Sequence, residues 1–123
     1  MYLPDAKLIA VIDDDFSVAC GIASLVRSLG FDVRTFRSAE DFLSVQPLGE
    51  AACIICDVQM PGMTGIELYE MLVEQGSQVP IIFITAFSQD RVRQRAGEDA
   101  CILHKPFEAS ELTNCLKQAI LPS

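Results

Sequence analysis

Four apolar runs in this chain end in polar groups that could act together. VIDDD closes on Asp13, Asp14 and Asp15, IICD on Asp57, PIIFIT on Thr85, and ACILHK on Lys105. Clustered carboxylates repel one another and lose hydration unless positive charge sits among them. Oxygen-only donors suit a hard divalent cation, and Mg²⁺ is typically held by one or two carboxylates together with phosphate oxygens; Mn²⁺ accepts the same donors. Such a set fits a metal and an incoming phosphoryl group. Asp57 is the candidate nucleophile, because an aspartate can form an acyl phosphate. The Thr85 hydroxyl and the Lys105 ammonium would neutralise phosphoryl oxygens as charge redistributes during transfer. Each group has a plainer explanation taken singly: Asp15 as a solvated loop acid, Thr85 as a strand end, Lys105 as a surface lysine lying along Phe107. A site requires Asp13, Asp14, Asp57, Thr85 and Lys105 to meet at one rim, and chance rarely supplies that.

The elements that must position these groups follow from the hydrophobic pattern. Residues 7–15 hold five consecutive apolar residues, which reads as a strand buried on both faces and central in a parallel sheet. Ser17 is placed to cap the helix that follows, Ile22, Leu25, Val26 and Leu29 recur at helical spacing, and Gly30 closes it. Residues 31–36 alternate as a more exposed strand. Ser38 caps a short helix that Pro47 and Gly49 end. Residues 52–57 form the strand that carries Asp57. Thr64 and Glu67 make a capping box for a helix with an apolar face of Ile66, Leu68, Met71 and Leu72, ended by Gly76. Residues 79–85 are a buried strand. The arginine-rich stretch from Ser88 to Gly97 has only Val92 and Ala96 to bury and predicts a short, poorly anchored helix. Residues 100–107 supply the last strand, and Ser110 caps a final helix stopped by Pro122. Five strands alternating with five helices give a doubly wound α/β domain. Right-handed crossovers put every strand's C-terminal tip on one edge, where open α/β sheets hold their ligands.

Composition excludes other classes. A chain of 123 residues, half of them apolar, is one folded domain. Its formal charge of −8 argues against nucleic acid bound by this domain itself, since backbone binding is cation-driven. Of the five cysteines, Cys53 and Cys56 form a C-x-x-C, but on a strand positions three apart face opposite ways, so buried thiols in a reducing cytosol are expected. No apolar stretch is long enough to span a bilayer and no leader opens the chain, so a soluble, cytoplasmic protein is expected. No glycine-rich phosphate loop follows the first strand. A phosphatase that forms an acyl phosphate on such a sheet wants a second acid two residues after its nucleophile, where this chain has Gln59.

In order, VIDDD, DVQMPGMTG, ITA and HKPF make the chain resemble the receiver domains of two-component response regulators over essentially its whole length. The spacings fit as well: forty-four residues from Asp13 to Asp57 and twenty-eight from Asp57 to Thr85. The likeness is greatest to receivers that precede a helix-turn-helix DNA-binding domain of the nitrogen-fixation regulator type. The resemblance implies a (βα)5 flavodoxin-like fold with strand order 2-1-3-4-5, and one receiver domain over residues 1–123, alone or as part of a longer regulator. It implies that Asp57 accepts a phosphoryl group from a phosphohistidine of a sensor histidine kinase. Asp14, Asp57 and the Gln59 backbone carbonyl would ligate Mg²⁺, with Asp13 acting through water. Lys105 would pair with Asp57 and then with the phosphoryl group, Thr85 would swing toward it, and Lys105–Pro106 would be a cis bond. Gln59 and Phe87 fall where the family tunes hydrolysis.

Two features depart from that family. Thr85 and Lys105 are twenty residues apart, fewer than is common, which shortens the fourth helix or the loop after it. Ile102 stands where an aromatic switch residue is usual. Both fall on the helix 4–strand 5–helix 5 face through which receivers form homodimers or control an output such as transcription. They leave open a degenerate receiver that acts as a protein-interaction module without phosphorylation.

Overall fold

The structure is a computed structural model and describes residues 7–45 and 51–120. Pro47, Gly49 and Pro122, the expected stops, lie outside the described residues. The elements alternate throughout: β1 (Leu8–Ile12), α1 (Phe16–Ser28), β2 (Asp32–Phe36), α2 (Ala39–Ser44), β3 (Ala51–Asp57), α3 (Gly65–Glu74), β4 (Ile81–Thr85), α4 (Asp90–Ala96), β5 (Cys101–His104) and α5 (Ala109–Ile120). The five strands pair in parallel in the order β2-β1-β3-β4-β5. This is the (βα)5 flavodoxin-like arrangement expected.

Strand sequences account for their places. β1, β3 and β4 are runs of Ile, Val, Ala, Cys and Phe buried almost throughout, as sheet interior demands when helices cover both faces. β2 (DVRTF) is mostly exposed and takes the edge. Alternation divides the core into two layers. Ile12, Ile54, Cys56 and Phe83 pack with Phe42, Leu68, Leu72 and Val92 of α2, α3 and α4. Ile9, Val11, Cys53, Ile55, Ile82 and Ile84 pack with Ile22, Val26, Leu112 and Leu116 of α1 and α5. Cys53 and Cys56 thus lie in opposite layers, both as free thiols. Burial pushes Cys53 up to about 12, and Cys56 is raised still further by burial and the nearby Asp57 charge, so neither is a ready thiolate.

Register brings the tips together. Ile12 stands opposite Cys56, Asp57 opposite Ile84, and Thr85 opposite His104. Ladder-like bonds continue past the strands, from Val58 N to Ile84 O at 2.8 Å and from Lys105 N to Thr85 O at 2.8 Å. Asp13, Asp57, Thr85 and Lys105 therefore share one edge.

Two caps differ from expectation. Asp15, not Ser17, caps α1: its Oδ1 accepts from Ser17 N at 3.0 Å and Val18 N at 3.3 Å. The helix starts two residues earlier than a Ser17 cap requires, because the last of the three acids already has a carboxylate where the free N–H groups point. Ser110 likewise lies inside α5, whose first-turn N–H groups on Glu111 and Leu112 donate to the Glu108 carbonyl while the Glu111 side chain accepts from Glu108 N at 2.9 Å. Ser38 and the Thr64–Glu67 capping box act as expected.

Helix α4 is short, has no side-chain N-cap and buries only Val92. It has an anchor not expected from sequence, a forked ion pair from the Arg95 guanidinium to the Glu70 carboxylate of α3. Arg93 adds bonds to Gln89 Oε1 at 2.9 Å and Glu98 O at 3.0 Å. Among the described residues no helix is long and apolar enough to cross a membrane.

Candidate functional site

Asp57 ends β3 buried, with 5% of its surface exposed. Its two oxygens have separate partners: Oδ1 accepts from Gln59 N at 3.1 Å and Oδ2 from Lys105 Nζ at 3.1 Å. Asp13, one residue past β1, is 2% exposed and accepts through Oδ1 from Asp15 N at 2.9 Å. Its Oδ2 is buried without a hydrogen bond, and the nearest ammonium, Lys105 Nζ, stands 3.7 Å away. Exposed Asp14 completes a set in which one carboxylate oxygen from each of Asp13, Asp14 and Asp57 lies within 4.8 Å of the others.

The electrostatics follow from burial and crowding. Asp13 is raised from 3.8 to about 6, chiefly by burial, with the Asp57 and Asp14 charges adding and the Asp15 backbone bond and Lys105 opposing. Burial works against the Lys105 ammonium, yet its hydrogen bond to Asp57 and the charges of Asp57, Asp13 and Asp15 outweigh that and raise it. One ammonium faces three carboxylates, and a buried carboxylate oxygen has no donor. A hard divalent cation such as Mg²⁺ fits this oxygen-only set and would satisfy that oxygen.

The remaining expected residues lie around this centre. Thr85, fully buried at the end of β4, accepts from Phe87 N at 3.0 Å and donates to Gln59 Oε1 at 3.2 Å. Its links run to Gln59 and Phe87. Phe87 is 63% exposed, and its backbone N–H is the group that bonds Thr85. Ile102 is half-buried on β5, opposite Phe83 and against the layer of α2, α3 and α4. The Lys105–Pro106 bond is cis.

Two supporting residues had no role assigned from sequence. Gly65 opens α3 where a Cβ would stand 2.7 Å from the Asp57 carbonyl oxygen, so only glycine lets the helix start this close to the site. It is the last letter of DVQMPGMTG, so the motif carried the signal without the reason. Glu40 of α2 accepts from Met63 N at 2.9 Å and steadies the loop between β3 and α3. That backbone bond holds its carboxyl below the usual range. Nothing in the local sequence marks it.

Fold and site together define a doubly wound α/β domain with an acidic cluster positioned to coordinate a divalent cation and suited to phosphoryl transfer. A profile of the response regulator receiver domain matches residues 9–117. The chain is 36% identical over 117 residues to the response regulator protein TodT of Pseudomonas putida, covering 94% of this chain and 52% of TodT. It is 36% identical over 114 residues to the transcriptional regulatory protein FixJ of Bradyrhizobium diazoefficiens, covering 91% and 56%. Among solved structures, the response regulator StyR superposes with a TM-score of 0.83 at 39% identity, covering 94% of this chain and 59% of that one. A BeF3-activated DrrB receiver domain superposes at 0.82 with 26% identity, covering 95% and 99%. The chain belongs to the response regulator receiver domain family. It spans about half the length of the curated relatives it matches.

Proposed function

We propose that the chain is a phosphorylatable signalling switch in which Asp57 takes a phosphoryl group from a phosphohistidine of a sensor histidine kinase. The observation that carries this reading is a buried carboxylate at the sheet's C-terminal edge, 3.1 Å from an ammonium and beside two further acids. In the transfer an Asp57 carboxylate oxygen attacks phosphorus, the O–P bond forms as the P–N bond breaks, and the imidazole leaves. Asp14, Asp57 and the Gln59 carbonyl would hold Mg²⁺ (or Mn²⁺), with Asp13 acting through water. The cation supplies positive charge against the carboxylates and the phosphoryl oxygens.

Lys105 already bonds the acceptor carboxylate and stays charged at any physiological pH, so it can transfer its pairing to the phosphoryl group. Thr85 donates to a phosphoryl oxygen from the neighbouring tip, and Ile102 repacks as β4's end moves. Gln59 and the Phe87 backbone border the path by which water reaches the acyl phosphate and so tune its lifetime. The absence of an acid at position 59 disfavours a turnover phosphatase.

The output face is α4, β5 and α5. Residues 1–123 act as the receiver of a regulator whose control is over transcription, through a following DNA-binding domain or a phosphorylation-driven homodimer; the name of FixJ supports transcription. Free cysteines accord with a cytoplasmic site of action.

Incubation with Mg²⁺ and acetyl phosphate, followed by intact-mass measurement, tests the reading. One phosphoryl group is expected on the wild type and none on Asp57→Asn. An unmodified wild type would leave the interaction-module reading, which the substitution of Ile102 and the seven-residue α4 favour.

A further inference from the structure

We infer that Gln59 is a positioning residue that latches Thr85 in its resting place by holding the one proton the phosphoryl group needs; this rests on the phosphoryl-acceptor reading of Asp57. The Thr85 hydroxyl has a single proton and two lone pairs. In the structure Oγ1 accepts from Phe87 N at 3.0 Å and gives its proton to Gln59 Oε1 at 3.2 Å. Phosphoryl oxygens accept hydrogen bonds and do not donate them, so Thr85 can serve one only by withdrawing the proton from Gln59. The two acceptors compete. The bond from Phe87 N uses a lone pair and persists through the exchange, so movement of the hydroxyl draws the start of the loop between β4 and α4 with it.

Gln59 is suited to this role at both ends. Its backbone N–H bonds Oδ1 of Asp57 at 3.1 Å, so one residue touches the acceptor through its main chain and the switch hydroxyl through its side chain. The side chain also has somewhere to go. Gln59 borders two cavities, of about 580 and 570 Å³, between the loop after β3 and helix α4. Both also include Val58 and Arg91, so a released carboxamide can turn into open space without displacing packed side chains. Thr85 is fully buried, so an unlatched hydroxyl finds no ready water and its proton is driven toward the phosphoryl group.

A double-mutant cycle with Mg²⁺ and BeF3⁻ as the phosphoryl mimic, read as dissociation constants by ¹⁹F NMR titration, tests the latch. Gln59→Leu removes the competing acceptor at an exposed position and is expected to tighten BeF3⁻ roughly two- to ten-fold, the range of one hydrogen bond. Gln59→Asn, too short to reach the hydroxyl, is expected to move the constant the same way. Thr85→Val is expected to weaken binding. In the Thr85→Val background, Gln59→Leu is expected to change nothing, because no proton is left to compete for. Unchanged or weaker binding by Gln59→Leu overturns the latch, as does tightening that persists without the Thr85 hydroxyl. A wild type that does not bind BeF3⁻ at all overturns the phosphoryl-acceptor reading, and the latch with it.

Discussion

Replacing Asp13 with asparagine is expected to stabilise the metal-free protein at pH 8 and to blunt its response to Mg²⁺. Asp13 is buried, its Oδ2 has no hydrogen-bond donor, and its carboxyl is raised from 3.8 to about 6 by burial and by Asp57 and Asp14. A raised carboxyl pKa means the fold prefers the neutral form. Its contribution is therefore fully present below about pH 4 and lost as pH rises through about 6. At about 1.4 kcal/mol per pKa unit the full cost is about 3 kcal/mol, and solvent reaching the open rim reduces it to about 1–2 kcal/mol. Asparagine is neutral throughout and keeps an oxygen for the Asp15 N–H. For a chain of this length the gain corresponds to about 3–10 °C in Tm. Thermal unfolding by circular dichroism in EDTA, at pH 8 and pH 4, gives the comparison. The advantage of Asp13→Asn should be present at pH 8 and shrink toward zero at pH 4, while added Mg²⁺ raises Tm more for the wild type than for the variant. An advantage independent of pH, or none at pH 8, would refute the reasoning.

Asp15→Ala removes the cap of α1 and is expected to cost about 1 kcal/mol in urea unfolding, whereas Ser17→Ala costs less than half as much. Gly65→Ala drives a methyl into the Asp57 carbonyl and is expected to cost about 1–3 kcal/mol despite alanine's better helix propensity, with weaker Mg²⁺ binding by calorimetry. The Glu70–Arg95 pair is exposed on both sides, so a double-mutant cycle to glutamine should give a weak coupling that fades in high salt. A strong coupling that persists in high salt would mean that α4 is held far more firmly than its single buried side chain suggests.

Much of this was legible in the order of residues, because apolar runs that end in one polar group mark strand tips wherever they pair. The sequence alone places Asp13, Asp57 and Lys105 on one edge, since alternating strands and helices admit few parallel topologies. The caps were harder. Asp15 and Ser17 are both good cap formers within two residues of each other, and only the path of the chain decides which meets the free N–H groups. The contacts that hold the site's surroundings were invisible. Glu40 to Met63, Arg95 to Glu70 and Thr85 to Gln59 join residues more than twenty positions apart through long side chains. Their meeting depends on how α2, α3 and the loop after β4 pack, and no local pattern encodes that. Gln59 illustrates the limit, since its place two residues after Asp57 is legible in the sequence while the acceptor role of its side chain is not.

The claim on which everything else depends is that the acyl phosphate forms on Asp57. Treating the protein with Mg²⁺ and acetyl phosphate, reducing with borohydride and mapping peptides by mass locates it, because reduction converts a phosphorylated aspartate to homoserine. Homoserine at position 57, dependent on both Mg²⁺ and donor, is the predicted result. Homoserine at Asp13 or Asp14, or at no position, would contradict the account.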